Sequence, residues 1–164
     1  MKMIFKQRLL TWLDGYKIYD EGGSLLFKVE GKISFGHRLH IYNSKGKHIA
    51  TVKEKIIDLL PEFKLYVGRK NIGTLRKKIT LLRPAYKLAS KGWTAEGDFF
   101  EFDYEIKDSK GSRVAHVDKV FFRLSDTYEI NVENPENALC VLMMVLAIDA
   151  EKCSRKRKEE RDEN

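Results

Sequence analysis

Residues 134–148 read Asn-Pro-Glu-Asn-Ala-Leu-Cys-Val-Leu-Met-Met-Val-Leu-Ala-Ile. The first three are a helix start: asparagine to cap, proline at the first helical position, an acid in the first turn. The run Ala138–Ile148 is apolar without interruption. Wound into a helix, it is apolar on every side, and such a helix must be buried on every side. Leu139, Leu142, Met143, Val145 and Leu146 are the expected core contacts. A charge placed at Val145 would find no partner there. A sheet packed on one flank would leave half of this helix wet. Either a closed wall of strands surrounds it, or a second molecule covers the open side. The run is too short to cross a bilayer, which takes about 20 residues.

The preceding chain supplies the wall. A unit recurs four times, from Tyr16, Leu39, Phe63 and Tyr104. Each copy has an alternating apolar arm, a glycine-containing turn and a second alternating arm, which is the pattern of a β-hairpin. With a period of two, Ile18, Ile41, Leu65 and Ile106 point inward, as do Val29, Val52, Leu75 and Val117 in the second arms. Tyr19, Tyr42, Tyr66 and Lys107 then point outward. Phe100 to Lys107 alternates throughout and reads as one half-buried strand. Further strands are expected at Ile4–Leu10, Ala85–Ala89, Trp93–Glu96 and Thr127–Val132, giving roughly twelve.

The geometry closes. Twelve tilted strands make a barrel roughly 24 Å across. Inward side chains leave roughly 12 Å, and a helix with its side chains measures about 10–12 Å. The expected fold is mainly β: a closed antiparallel barrel around a helix at about 135–151. Residues 1–151 form a single domain on this reading, and 152–164 a charged tail.

The formal net charge is +7, and 34% of the residues are charged. About a quarter is usual. The stretch from Glu151 on carries a net of only +1, so the excess lies in the barrel. Cationic barrels favour anionic partners. Lys53 and Lys55, and likewise Arg76 and Lys78, alternate on outward positions of equivalent arms. They are the candidate anionic-ligand-binding residues, with Tyr42 and Tyr66 nearby. Basic charge beside amphipathic aromatics suits a membrane interface, and could also grip single-stranded nucleic acid. The plainer reading is that these lysines protect and solubilise a β surface.

Nothing catalytic emerges. His37 and His40 fall on opposite faces of a strand and cannot share a metal locally. His48 and His116 sit apart from them. Glu101, Asp103 and Glu105 share one strand face but are too widely spaced to chelate unaided. There is no CxxC, Walker-type loop or GxSxG elbow. No cofactor or metal is called for. Cys140 and Cys153 are too far apart on one helix to bridge, and reduced thiols suit the cytosol. Lys6 and Arg8 interrupt any signal-peptide core.

Six segments together resemble the LURP-one-related family of the tubby C-terminal-like superfamily. They are KIYDEGG from Lys17, FKVEGK from Phe27, LHIYNSKGKHIATVKEK from Leu39, WTAEGDFFEFDYEI from Trp93, DTYEI from Asp126 and VLAIDA from Val145. The resemblance implies a twelve-stranded barrel around a C-terminal helix. It also implies a binding role at membranes, since tubby-type members resemble phosphoinositide-binding modules and scramblase-type relatives act at membranes. No lipid-contacting residue carries over to a position here. The expected function is a non-catalytic module, cytoplasmic or peripheral at a membrane, that docks on anionic phospholipid head groups. A cytosolic protein-interaction scaffold is the alternative, with nucleic-acid binding and catalysis behind it.

Overall fold

The computed structural model describes residues 1–6, 15–32, 36–55, 62–78, 84–120 and 127–162. Twelve strands run in chain order: β1 Lys2–Lys6, β2 Tyr16–Tyr19, β3 Leu25–Lys32, β4 Arg38–Asn43, β5 His48–Lys55 and β6 Glu62–Val67, then β7 Lys70–Lys78, β8 Ala85–Leu88, β9 Trp93–Asp98, β10 Asp103–Lys107, β11 Arg113–Val120 and β12 Thr127–Val132. Each pairs antiparallel with its sequence neighbour, and β1 pairs with β12 to close the barrel. Closure removes both sheet edges. Of the expected first strand, residues 7–10 lie outside the described residues.

Three hairpin turns share one construction. Asp20, Asn43 and Asp108 each receive backbone N–H bonds on their side-chain oxygen from residues ahead in the turn. In each, the glycine three positions on (Gly23, Gly46, Gly111) has φ near +80° and donates back to the first residue's carbonyl. A left-handed residue there builds the bulge that matches strand twist, and glycine adopts it without a Cβ clash. The register shifts beside each turn accordingly.

The inward positions read from the sequence are the core. Ile18, Ile41, Leu65, Ile106, Val29, Val52, Leu75 and Val117 are all buried. They face the helix α1, Ala138–Asp162, which follows a 3-10 turn over Pro135–Asn137. Asn134 caps that turn, its side-chain oxygen accepting the Glu136 N–H at 3.0 Å. Leu142, Met143, Val145 and Leu146 are at most 3% exposed, as befits a rod enclosed by strands. Burying a large aliphatic side chain contributes about 1.5–3 kcal/mol. Leu139 departs from expectation: it is only half-buried, because it stands at the mouth where the helix enters. The helix is also longer than 135–151, continuing through the charged segment to Asp162.

One strand reading needs correction. Phe100 to Lys107 is not continuous β structure: β10 begins at Asp103, and Phe99–Phe102 form a turn. The Asp98 carboxylate accepts the N–H groups of Phe100 and Glu101, which ends β9 and turns the chain. Phe100 is left 61% exposed, Phe102 takes φ +54°, and Glu101 lies off the face that holds Asp103 and Glu105.

Candidate anion-binding surface

Barrel parity sorts the charges. On β3 to β5 the outward cations are Lys28, Lys32, Arg38, Lys53 and Lys55, with Glu30 the acid among them. On β6 to β8 they are Lys64, Arg76, Lys78 and Lys87, with Glu62 the acid. Nine cations therefore face two carboxylates over six adjoining strands. On β9 to β12 the balance reverses: Glu96, Asp98, Asp103, Glu105, Asp118 and Glu129 against Lys107 and Arg113. Lys2 on β1 and Lys17 on β2 add to the outward cations, so the positive excess runs from β1 to β8 and the negative one from β9 to β12.

Register gathers that charge into rows. Lys32 pairs with Arg38, Arg38 with Lys53, and Lys53 with Lys64. Side chains directly opposite on paired strands stand about 4.5–5.5 Å apart at Cβ, so four cations follow one another across β3 to β6. A second row runs Lys55, Glu62, Arg76, Lys87. Here Glu62 sits between two cations, 3.7 Å from Lys55 and 2.5 Å from Arg76. The four cations singled out in the sequence thus share one outer surface. Lys53 and Lys55 lie side by side on β5, Arg76 and Lys78 side by side on β7. Lys55 and Arg76 are partly neutralised by their shared acid, while Lys53 and Lys78 make no ion pair among the described residues.

Arg38 and Lys64 were missed by sequence reasoning. They complete the first row, also without an ion pair among the described residues. Only register puts them opposite Lys53. The sequence signal was parity: each precedes an inward residue, Leu39 or Leu65. Arg38 carries a further mark. Its Nε is buried and has no hydrogen-bond partner in the protein. A guanidinium donor sealed from water without an acceptor is costly, and an incoming anion would satisfy it.

The flank of this surface toward the β4–β5 turn is aromatic. His40 stacks on His48 with ring centroids 4.6 Å apart, and Tyr42 lies against both. Burial, then His48, Lys32 and Arg38, hold the His40 pKa below the usual histidine value. On β3, hydrogen bonds from Lys28 and Lys32 hold Glu30 down to about 2, so it stays ionised and offsets part of their charge.

The other histidines fall as parity requires. His37 is buried and bonds Glu54 at 2.6 Å, while His40 is on the outer face. No helix among the described residues is long and apolar enough to cross a membrane.

A family model described as LURP-one-related matches residues 1–149. The uncharacterized protein YxjI of Bacillus subtilis (strain 168) is 26% identical over 150 residues, spanning 91% of this chain and 92% of that protein. The X-ray structure of the Arabidopsis thaliana protein AT5G01750 superposes with a TM-score of 0.65 at 16% identity, covering 92% of this chain and 90% of that one. At that identity the likeness is one of fold.

Proposed function

The chain belongs to the LURP-one-related family, and from that premise we propose that its barrel is a non-catalytic binding module that docks on anionic phospholipid head groups. The observation that carries the reading is the row Lys32, Arg38, Lys53, Lys64, unbroken by a carboxylate across four strands. The assembled feature is a field of charge on a rigid wall, not a nucleophile with a base beside it. The orphaned Arg38 Nε and the flanking Tyr42 and Tyr66 favour the same reading. A buried donor without a partner wants an acceptor oxygen, and tyrosine rests well at a wet apolar boundary.

Magnitudes set the strength. A lysine or arginine near an anionic bilayer contributes about 1 kcal/mol. Arg38, Lys53, Lys64, Lys78 and Lys87 make no ion pair among the described residues, which gives about 5 kcal/mol. That corresponds to dissociation constants on the order of 10⁻⁴ M, a reversible peripheral association.

Flotation with vesicles at physiological salt is the test. The protein should rise with vesicles containing phosphatidylserine and stay down with pure phosphatidylcholine. Equal behaviour with the two would end the proposal. Loss of flotation at high salt is also expected, because screening shortens the reach of surface charge to about 3 Å at 1 M.

A further inference from the structure

We infer that Asp103, His116 and Asp118, on the acidic side of the barrel, form a binding site for one divalent transition-metal ion, zinc by the donor set. The site is independent of the cationic surface and of its proposed role.

The fold converges these three side chains. His116 and Asp118 are two apart on β11, so both project outward. Asp103 on β10 lies one step beyond the Tyr104–Val117 pair and so faces Asp118 across the sheet. One ligand atom from each lies within 4.8 Å of the others. His116 Nε2 is 2.5 Å from an Asp118 oxygen and 3.8 Å from an Asp103 oxygen. A tetrahedral zinc ion with bonds of about 2.0–2.2 Å spaces its ligand atoms about 3.3 Å apart. The two separations from His116 must open and close by less than 1 Å, and the Asp103–Asp118 separation, within 4.8 Å, must close to the same spacing; side-chain torsions supply these shifts. Three protein ligands on an open face leave the fourth position to water.

The charge balance points to the same cation. Like charges directly opposite on a sheet destabilise it. Three other acids of this face are engaged. Asp98 accepts turn N–H groups, Glu129 pairs with Lys2 at 2.9 Å, and Glu105 pairs with Lys107 at 2.9 Å. Asp103 and Asp118 have no lysine or arginine partner among the described residues; their neighbour is the His116 imidazole. The Asn131 amide donates to the second Asp118 oxygen at 3.3 Å, orienting the first toward the site. An imidazole with two carboxylates is a borderline donor set that zinc accepts readily and magnesium does not. His116 Nδ1 is buried without an acceptor, so the outer hydrogen bond that strengthens many metal-bound histidines is missing. Affinity should accordingly be micromolar.

Calorimetric titration of zinc chloride into the full chain at neutral pH is the test, with magnesium chloride as control. One zinc per chain is expected, with a raised melting temperature and no saturable magnesium binding. His116→Ala and Asp103→Asn should each weaken zinc binding at least tenfold. The Asp103 side chain is 72% exposed, so that variant keeps the fold readable if the histidine variant does not. Absence of saturable zinc binding below about 1 mM, or binding unchanged in Asp103→Asn, would overturn the assignment.

Discussion

Lys53 on β5 and Lys64 on β6 are directly paired across the barrel wall, with no carboxylate between them. Sheets ordinarily put opposite charges, or none, at such positions, and like charges there destabilise. One step along the same strands, Lys55 faces Glu62, which is the ordinary arrangement. The first pair gives up stability that the second retains.

Lys64→Glu separates stability from docking. The new carboxylate faces Lys53 and should stabilise the fold by about 0.2–1 kcal/mol. The same change removes two units of charge from the row and should weaken binding to phosphatidylserine vesicles by about 30-fold, at about 1 kcal/mol per charge. Urea unfolding and vesicle sedimentation on one preparation read both effects. A variant that loses stability, or docks as well as the parent, contradicts the role given to the row.

Glu62→Gln should act in the opposite sense. It releases Lys55 and Arg76 from their shared counter-ion and adds one net positive charge to the surface. Docking should strengthen about fivefold. The fold should weaken by no more than about 1 kcal/mol, because Arg76 is well exposed and exposed pairs contribute little. Sedimentation against increasing phosphatidylserine content checks the gain.

His40 gives a pH signature. Its pKa in the folded chain is lowered, first by burial and then by His48 and nearby cations. Above the unfolded value of about 6.5 the residue is neutral in both states and contributes nothing. As pH falls below that value, the unfolded chain takes up the proton more readily than the fold, so stability is lost. His40→Gln should therefore retain more of its neutral-pH stability at pH 5 than the parent does, measured by urea midpoint. Ring resonances of His40 should titrate below the usual histidine range, and anionic vesicles should move that midpoint upward.

Where the helix leaves the barrel, Glu151 accepts from Lys77 at 2.8 Å and from the Tyr86 hydroxyl at 2.6 Å. Both charged side chains are about one-tenth exposed. Glu151→Ala strands a buried ammonium and should cost about 3–5 kcal/mol. Lys77→Met combined with Glu151→Gln should cost less, since glutamine still accepts from Tyr86 and no charge is left unpaired. Equal losses in the two would show that the ion pair does not anchor the helix.

Much of this was legible along the chain. The all-round apolar run Ala138–Ile148 demanded cover on every side, from a closed wall or a second molecule, and period-two alternation named inward residues such as Ile41 and Val117. Local chemistry that overrides alternation was harder to read. Asp98 captures two backbone N–H groups and turns Phe100 out of a strand its pattern allowed. The cationic surface was half legible: parity found Lys53, Lys55, Arg76 and Lys78. Pairing register lies outside any one segment, so it alone brought in Arg38 and Lys64 and put Glu62 between two of the named cations. The Asp103–His116–Asp118 grouping was hidden for the same reason, since its members come from two strands joined only by register.

Paramagnetic broadening of backbone amide resonances by a lipid-borne gadolinium chelate in phosphatidylserine-containing bicelles locates the docking face directly. Broadening should concentrate on β4 to β7, strongest around Arg38, Lys53 and Lys64, and spare Asp103 and Asp118 on the far side. Broadening centred on the acidic side, spread evenly round the barrel, or absent would contradict docking through the cationic row.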